Sequence, residues 1–302
     1  DQSREAMAKR LQSGGLWQSF RQFPFKDTAD PAHEPSMIIV SMDGNDPFSP
    51  DTGILLDLYP GCFEYGLSVL KQFSSQIVVT ARQSSLNRLE PVKDQITHTV
   101  ADHFPAWDPG VVLYQLKTSE ADNSAWCITA ENLIRVARFL KTGIYPFEKL
   151  ITVTRPEIQK PHILTCQGAP VRILAGNLEP GSLITTGRFN GRRVDIDHHL
   201  GFFDTSLNII NKTDEDEFFG FVRPGIEKTT VSRTFLSRLF PSRRHLDCNL
   251  HGEERACINC AYCQRICPVD LMPNFIMKAL HADDIEEALE LGLLDCVRCG
   301  LC

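Results

Sequence analysis

The cysteines are the residues whose type and spacing could most directly do chemistry in this 302-residue chain. Four of the 11 are scattered, whereas seven lie at or after residue 257 and form two runs. The first run is Cys257, Cys260, Cys263 and Cys267 with Pro268 behind it; the second is Cys296, Cys299 and Cys302. The first run matches the C-x2-C-x2-C-x3-C-P signature of bacterial ferredoxins, whose thiolates bind [4Fe-4S] clusters. The second run repeats the start of that signature, so the pattern predicts electron-transfer chemistry.

The spacing also predicts which cysteines share a cluster. In the ferredoxin signature the fourth cysteine ligates the other cluster. One complete [4Fe-4S] site is therefore predicted from Cys267, Cys296, Cys299 and Cys302, and the other three cysteines need a ligand beyond residue 302. Zinc is an alternative, because it also takes four thiolates, although structural zinc sites usually pair two short C-x2-4-C knuckles. Metal-free or disulfide-bonded thiols are a further alternative. Cys248, with His245 and His251 near it, is a candidate substitute ligand.

The composition excludes several classes of function. Lysine and arginine number 31 against 38 aspartates and glutamates, which gives a net charge of −7 and a pI near 5.7. Such a chain repels a phosphate backbone, so no nucleic acid is expected as a partner. No apolar run approaches the roughly 18 residues of a transmembrane helix. The chain begins at Asp1 with neither an initiator methionine nor a signal-peptide pattern, which predicts a fragment of a longer protein.

The elements that must position the cysteines predict an α/β plus β plus α chain. Residues 1–35 are an N-terminal arm, and residues 36–155 alternate strands with helices, as in a Rossmann-like parallel α/β domain. Residues 156–228 hold short β runs between turn signals, which predicts a small β-grasp (SLBB-like) domain with a hairpin at Asn190-Gly191. Residues 229–302 form a helical, ferredoxin-like domain that carries the cysteine motifs.

Within these domains the pattern predicts individual elements. In the α/β domain the strands are 37–40, 76–80, 111–116 and 149–153, and the helices are 61–73 and 129–140, the second capped by Gly143. In the β domain the strands are 162–165, 171–174, 183–186, 207–210 and 218–222. From Lys228 an amphipathic helix presents a basic face, which is either a solvated bundle face or a surface beside a membrane or redox site. Pro273 opens a helix through residue 280, and Asp283 with Glu286 form a capping box for the next.

Two other stretches carry polar residues without the spacing of a site. The loop from Asp43 to Asp51 follows the first strand but has neither G-x-G-x-x-G nor a Walker lysine, so no FMN or NAD phosphate motif is predicted. His198 and His199 lie near two aspartates in a loop without metal-ligand spacing. Solvated or locally hydrogen-bonded histidines are the favoured interpretation.

Four stretches resemble a known family. They are SGGLWQSFR at 13–21, ADP at 29–31 with Pro35-Ser36, DEFFGFVRPG at 216–225, and VSRTF at 231–235. With the domain order, they resemble the NADH:quinone reductase branch that includes the complex I flavoprotein, the C subunit of the Rnf complex, and NqrA, which is the first-lettered subunit of the sodium-pumping NADH:quinone reductase (Nqr). NqrA is the best match, and the resemblance covers most of the chain.

The resemblance implies a peripheral subunit on the cytoplasmic face of the inner membrane, with its N-terminal barrel-type domain removed. The complex passes electrons from NADH to ubiquinone and exports Na⁺, and NqrA is linked to quinone binding and to docking on the membrane protein NqrB. No residue is assigned to the quinone site, and no catalytic residue is predicted.

Two departures from the family leave alternatives open. The glycine-rich FMN and NADH motifs of the complex I flavoprotein are absent, and the cysteine set resembles that of the Rnf protein, whereas many NqrA sequences lack it. An iron–sulfur electron-transfer subunit of an Rnf-type complex is therefore the second hypothesis. A zinc-stabilised assembly module is the third.

Overall fold

The computed structural model describes residues 4–44, 46–155, 162–187, 191–210, 222, 224–226, 235–240 and 257–302. The first sheet holds β1 (Arg21–Gln22), β2 (Asp27–Thr28), β3 (Ile38–Ser41), β4 (Ile77–Arg82), β5 (His98–Val100) and β6 (Trp126–Thr129). Its strand order is β2-β1-β6-β3-β4-β5. Strands β3 to β6 are parallel, while β1 pairs antiparallel with β2 and β6.

Helices cover both faces of this sheet, because its central strands are apolar on both sides. Ile38 and Val40 face α1 (Arg4–Ser13), α2 (Thr52–Leu58), α3 (Cys62–Leu70) and α5 (Ala130–Thr142), whereas Ile39 faces α4 (Pro109–Leu116). Continuous apolar strands of this kind are typical of a parallel sheet buried on both faces. The predicted helix at 129–140 is confirmed, and Gly143 ends it in the left-handed conformation (φ 73°).

The N-terminal arm is an integral part of this α/β unit. It supplies β1 and β2, and its Trp17 and Phe20 pack with Phe73 and Trp126 at ring-centroid distances between 4.9 and 6.1 Å. The indole Nε1 of Trp17 donates to the Ala29 carbonyl at 2.8 Å. The aromatic residues of the arm therefore lie in the main core.

The second sheet has the order β10-β9-β11-β7-β8. Its strands are β7 (Glu148–Thr154), β8 (His162–Cys166), β9 (Leu183–Thr185), β10 (Arg193–Val194) and β11 (Ser206–Ile210), with α6 (Val171–Ala175) packed on them. β7 and β11 are parallel, and the other pairs are antiparallel. The β9–β10 hairpin is the one predicted from Asn190-Gly191, although Asn190 itself lies outside the described residues.

The C-terminal part is helical, with α7 (Tyr262–Ile266), α8 (Pro273–His281) and α9 (Ile285–Glu290). Short 3-10 turns complete the described part of the chain at Trp17–Ser19, Gln83–Arg88, Glu90–Gln95, Glu120–Ser124, Leu236–Arg238 and Leu293–Asp295. Among the described residues, no helix has both the length and the apolar character needed to cross a membrane.

Several sequence predictions need correction. The segments predicted as strands at 111–116 and 171–174 are helices α4 and α6, because Asp108-Pro109 and Pro170 start helices that short apolar runs cannot distinguish from strands. The predicted strand at 149–153 exists but pairs in the second sheet, so the sheets divide before it rather than at residue 155. The capping box is one residue late: Asp284 caps α9 through the Glu287 amide.

Other predictions lie outside the described residues. These are most of the strand at 218–222, most of the helix from Lys228, and Cys248 with His245 and His251.

Candidate cysteine centre and the adjoining cavity

The two cysteine runs fold into loops with the same backbone pattern. The residues on either side of the middle cysteine are left-handed in both: Asn259 and Ala261 each have φ 57°, and Arg298 and Gly300 have φ 55° and 76°. A left-handed non-glycine residue costs roughly 1–2 kcal/mol, so the coincidence at equivalent positions indicates one shared loop geometry. Turns of this kind aim successive backbone N–H groups into a concavity, as around many iron–sulfur sites.

Four thiols surround one cavity in the C-terminal domain. Cys267, Cys296, Cys299 and Cys302 line a cavity of about 480 Å³. The rest of its wall is mainly apolar and comes from α8 and the segments around it, including Val269, Leu271, Pro273, Ile276, Met277, Leu280, Leu293 and Val297. The four cysteines brought together are those that the spacing predicts for one cluster.

The ionisation of these thiols reflects their mutual proximity. Burial raises the pKa of the Cys299 thiol, and Cys302, Cys267 and Cys296 raise it further, against a backbone hydrogen bond from Leu301 that lowers it. The pKa of Cys302 is likewise raised, first by burial and then by Cys296. Thiols that resist ionisation next to one another are the groups that a positively charged iron core would deprotonate on binding.

The other three predicted ligands lie on the first loop. Cys257 and Cys260 are exposed and Cys263 is half-buried; of the three, Cys263 approaches Cys302 closely enough to affect its pKa. In the described part of the chain, no group of three or more His, Cys, Asp or Glu side chains is placed to hold a metal ion. The four thiols instead stand around a space, and their donor chemistry and apolar surroundings fit a cluster with sulfur ligands.

Asparagine side chains attach the first loop to α8. The Asn274 amide, 4% exposed as a residue, donates to Asn259 Oδ1 at 2.7 Å, and Lys278 Nζ lies 3.5 Å from the same oxygen. Asn259 is one of the left-handed residues, and asparagine tolerates that conformation better than most residues. Its side chain thus fixes the turn that carries the cysteines.

Helix α4 of the α/β unit holds the second loop. Val111 of α4 belongs to the apolar core of the C-terminal domain, and Val297 approaches the helix so closely that a Cβ on Gly110 would lie 2.6 Å from Val297 Cγ1. Lys117 at the end of α4 pairs with Asp295, just before the first cysteine of the loop. The cysteine centre is therefore docked on the α/β unit through one helix.

A second cavity lies where the two sheets and the cysteine loop meet; we call it the junction cavity. Its volume is about 560 Å³. Residues at the carboxyl ends of β3 and β6, such as Asp43 and Thr129, line it, and the chain crosses from one side of β3 to the other between these strands. Ligands of open α/β sheets bind at such topological switch points. Val297 and Arg298 line this cavity as well as the cysteine cavity.

A buried lysine lies in the wall of the junction cavity. The Lys149 side chain is 1% exposed, and its Nζ donates to the Phe202 carbonyl at 2.7 Å and lies 3.6 Å from Glu131 Oε1. Burial lowers the pKa of Lys149, which Glu131 partly opposes. This pair joins α5 of the α/β unit to β7 of the second sheet.

Sequence reasoning missed the junction cavity. The loop after β3 drew attention only as a place for a glycine-rich phosphate motif. Arg298 carried one signal, its position between two cysteines, while Gly110 and Lys149 carried none. The expectation of locally bonded histidines agrees with His198, whose Nε2 lies 3.0 Å from Arg192 Nη2.

Two protein families match parts of the chain in agreement with this architecture. Residues 2–145 match the family described as the NqrA second alpha/beta domain, and residues 250–302 match the 4Fe-4S dicluster domain. The predicted C-terminal domain with ferredoxin-type cysteines is thereby confirmed.

Curated relatives cover nearly the whole chain. All of those described here are NqrA proteins of the Na(+)-translocating NADH-quinone reductase. The chain is 27% identical over 300 residues to the protein of Klebsiella pneumoniae, and 28% identical over 299 residues to that of Pseudomonas aeruginosa. Each match covers 97% of this chain and 67% of the relative. Among solved structures, an H2-reduced NAD+-reducing [NiFe]-hydrogenase matches 69% of this chain and 47% of its own with a TM-score of 0.53 at 12% identity, a likeness of fold alone.

Proposed function

Because this chain is homologous along nearly its whole length to NqrA of the Na⁺-translocating NADH-quinone reductase, we propose that it acts as the corresponding subunit of such an enzyme complex. The complex would pass electrons from NADH to ubiquinone and export Na⁺. The observation that carries this proposal is the 97% coverage of the chain by relatives of that name. The chain would be peripheral, on the cytoplasmic face of the inner membrane, and would dock on the membrane protein NqrB.

The finer fold assignments belong to the same proposal. We assign the first sheet to the Rossmann-like class, supported by four parallel strands with helices on both faces. We assign the second, mostly antiparallel sheet to the β-grasp (SLBB-like) class, supported by its single packed helix α6.

Within the complex, the C-terminal domain would be an iron–sulfur electron relay. Cys267, Cys296, Cys299 and Cys302 would hold one [4Fe-4S] cluster, and the first-run cysteines Cys257, Cys260 and Cys263 would ligate a second. A bound cluster would supply one-electron transfer. The chain's own contribution is to exclude water with the apolar wall and to direct loop amides at the sulfurs, which are two of the factors that set a cluster's potential.

Metal analysis of the purified chain tests the relay. The expected result is iron with matching acid-labile sulfide after anaerobic reconstitution, and a reducible cubane signal in electron paramagnetic resonance after dithionite. Cys299→Ser should lose much of that iron, whereas Cys166→Ser, an exposed cysteine outside the centre, should not. Zinc without sulfide would instead make the domain a structural assembly module and refute the relay.

The complex-level function is tested in membranes. Deletion of the gene should abolish sodium-stimulated NADH:ubiquinone reductase activity, and the wild-type gene should restore it. If complementation by Cys299→Ser restores full activity, the chain belongs to the complex but its centre is not on the electron path. Unchanged activity in the deletion strain would contradict the proposed function.

A further inference from the structure

Positive charge is concentrated on one wall of the junction cavity. The β1–β2 hairpin contributes Arg21 and Lys26, and the cysteine loop adds Arg298, whose Nη2 donates to the Phe25 carbonyl of the same hairpin at 3.3 Å. Lys26 Nζ lies 2.8 and 2.9 Å from the two carboxylate oxygens of Asp108. This hairpin wall therefore holds three cations and one carboxylate.

The two arginines of the hairpin wall have contacts that orient them without neutralising them. The Arg21 guanidinium lies 4.8 Å from the centroid of the Phe203 ring, and its Nη1 is 3.4 Å from Thr28 Oγ1. Arg298 is held by a neutral carbonyl. Neither forms an ion pair with any residue that the structure describes. Since an aromatic face and a neutral oxygen leave the charge of a guanidinium in place, both remain able to bind an anion.

The remaining carboxylates of the junction cavity are engaged elsewhere. Asp43 accepts from Arg82 Nε at 2.7 Å, outside the lining, and Asp204 accepts from the Gly201 amide at 2.7 Å. Asp46 accepts from the Phe48 amide at 3.0 Å.

Glu131 completes the set, with its carboxylate facing Lys149. The lining thus has as many basic as acidic side chains, but its acids are tied to partners away from the hairpin wall. From the second sheet, Arg192 adds a third arginine without a described carboxylate partner.

We propose that the junction cavity binds a small organic anion, a ligand with a phosphate or carboxylate group, through Arg21 and Arg298 of the hairpin wall and Arg192 opposite. The planar guanidinium matches both groups in bidentate geometry. A volume of about 560 Å³ suits a small-molecule ligand. The cavity also lies at the carboxyl end of a parallel sheet, where such ligands bind. Binding requires neither a cluster nor another protein of the complex, so this site stands apart from the proposed electron transfer.

Calorimetric titration of the full chain at low ionic strength tests the site, with inorganic pyrophosphate and citrate as separate probes. We expect saturable binding of at least one probe that weakens as salt is added. Arg21→Gln and Arg298→Gln should each weaken it about tenfold, the effect of losing one charge-assisted hydrogen bond. Arg298→Lys should retain part of the affinity. The matched control is Arg172→Gln, an exposed arginine paired with Asp197 away from the cavity, which should bind like the wild type.

The two probes distinguish the source of the anion. Binding of pyrophosphate alone indicates a phosphorylated ligand, and binding of citrate alone a carboxylate. Circular dichroism of each variant checks folding; if Arg298→Gln unfolds, Arg21→Gln decides, because it lies on a different segment. The absence of saturable heat with both probes would overturn the proposal. So would affinities of the arginine variants equal to that of Arg172→Gln.

Discussion

Gly110 is the residue on which the docking of the cysteine loop depends most directly. It is the second residue of α4, and its amide donates to the capping carboxylate of Asp108 at 2.7 Å. A Cβ at this position would lie 2.6 Å from Val297 Cγ1 and 3.1 Å from Asp108 Oδ1. Gly110→Ala therefore places a methyl group where the cysteine loop already is.

Two opposing effects set the magnitude. Alanine is favoured over glycine within a helix by up to about 1 kcal/mol. Overpacking a filled core costs roughly 1–3 kcal/mol. Val297 is 7% exposed and β-branched, so its side chain cannot readily turn the Cγ1 methyl away. The overpacking term should win, and we expect Gly110→Ala to lower the free energy of unfolding by about 1–2 kcal/mol.

A double-mutant cycle isolates this contact. Val297→Ala alone removes two methyl groups and should cost about 2 kcal/mol. Combined with Gly110→Ala, the new methyl occupies the vacated space, so the double variant should be more stable than the sum of the single effects by about 1 kcal/mol or more. Urea unfolding followed by tryptophan fluorescence measures all four chains, since Trp107 lies at the start of α4.

The matched control is Gln115→Ala, which changes an exposed residue of the same helix and should alter stability by less than about 0.5 kcal/mol. Strict additivity of Gly110→Ala and Val297→Ala would refute the reasoning, because the two residues would then not be in contact. A Gly110→Ala variant more stable than the wild type would do the same.

Three further changes probe other contacts. Lys117→Met should cost about 0.5–1 kcal/mol in urea unfolding, since its partner Asp295 is partly exposed, and the loss should shrink in high salt; an effect independent of salt would contradict an ion pair. Burial lowers the pKa of Lys149 below 10.5, so between these two values the unfolded chain holds a proton that the folded chain has released, and stability should rise with pH there; urea titrations should show this rise in the wild type but not in Lys149→Met. Asn259→Gly should keep iron binding in reconstitution, whereas Asn259→Val should lose it, because valine resists the left-handed turn at φ 57°; equal iron contents would argue against a backbone role.

The sequence predicted those parts of the fold that local patterns specify. The helix capped by Gly143 and the buried strand at 38–41 follow from periodicity and end signals. The predicted strand at 111–116 failed because α4 is apolar on nearly all sides, packed between the first sheet and the C-terminal domain, so its helical period is hidden. The sheet that accepts β7 is decided by its pairing with β11, more than fifty residues later, which no local pattern records.

The site was predicted in the same uneven way. The cysteine runs were readable because ligand spacing is local, and the structure gathers the four thiols that the spacing groups together. The junction cavity was not readable, because Arg21, Lys149 and Arg298 lie on segments far apart in the chain and converge only after both sheets and α4 are assembled.

The loop formed by Val297 and Arg298 lines both cavities, and this shared wall has a thermodynamic consequence. An occupant of either cavity that fixes this loop changes the work needed to fill the other. Such coupling is reciprocal: the factor by which a cluster alters the affinity for an anion must equal the factor by which the anion alters the affinity for the cluster. The two cavities therefore form a linked pair, and the cofactor content of one can be reported by ligand binding in the other.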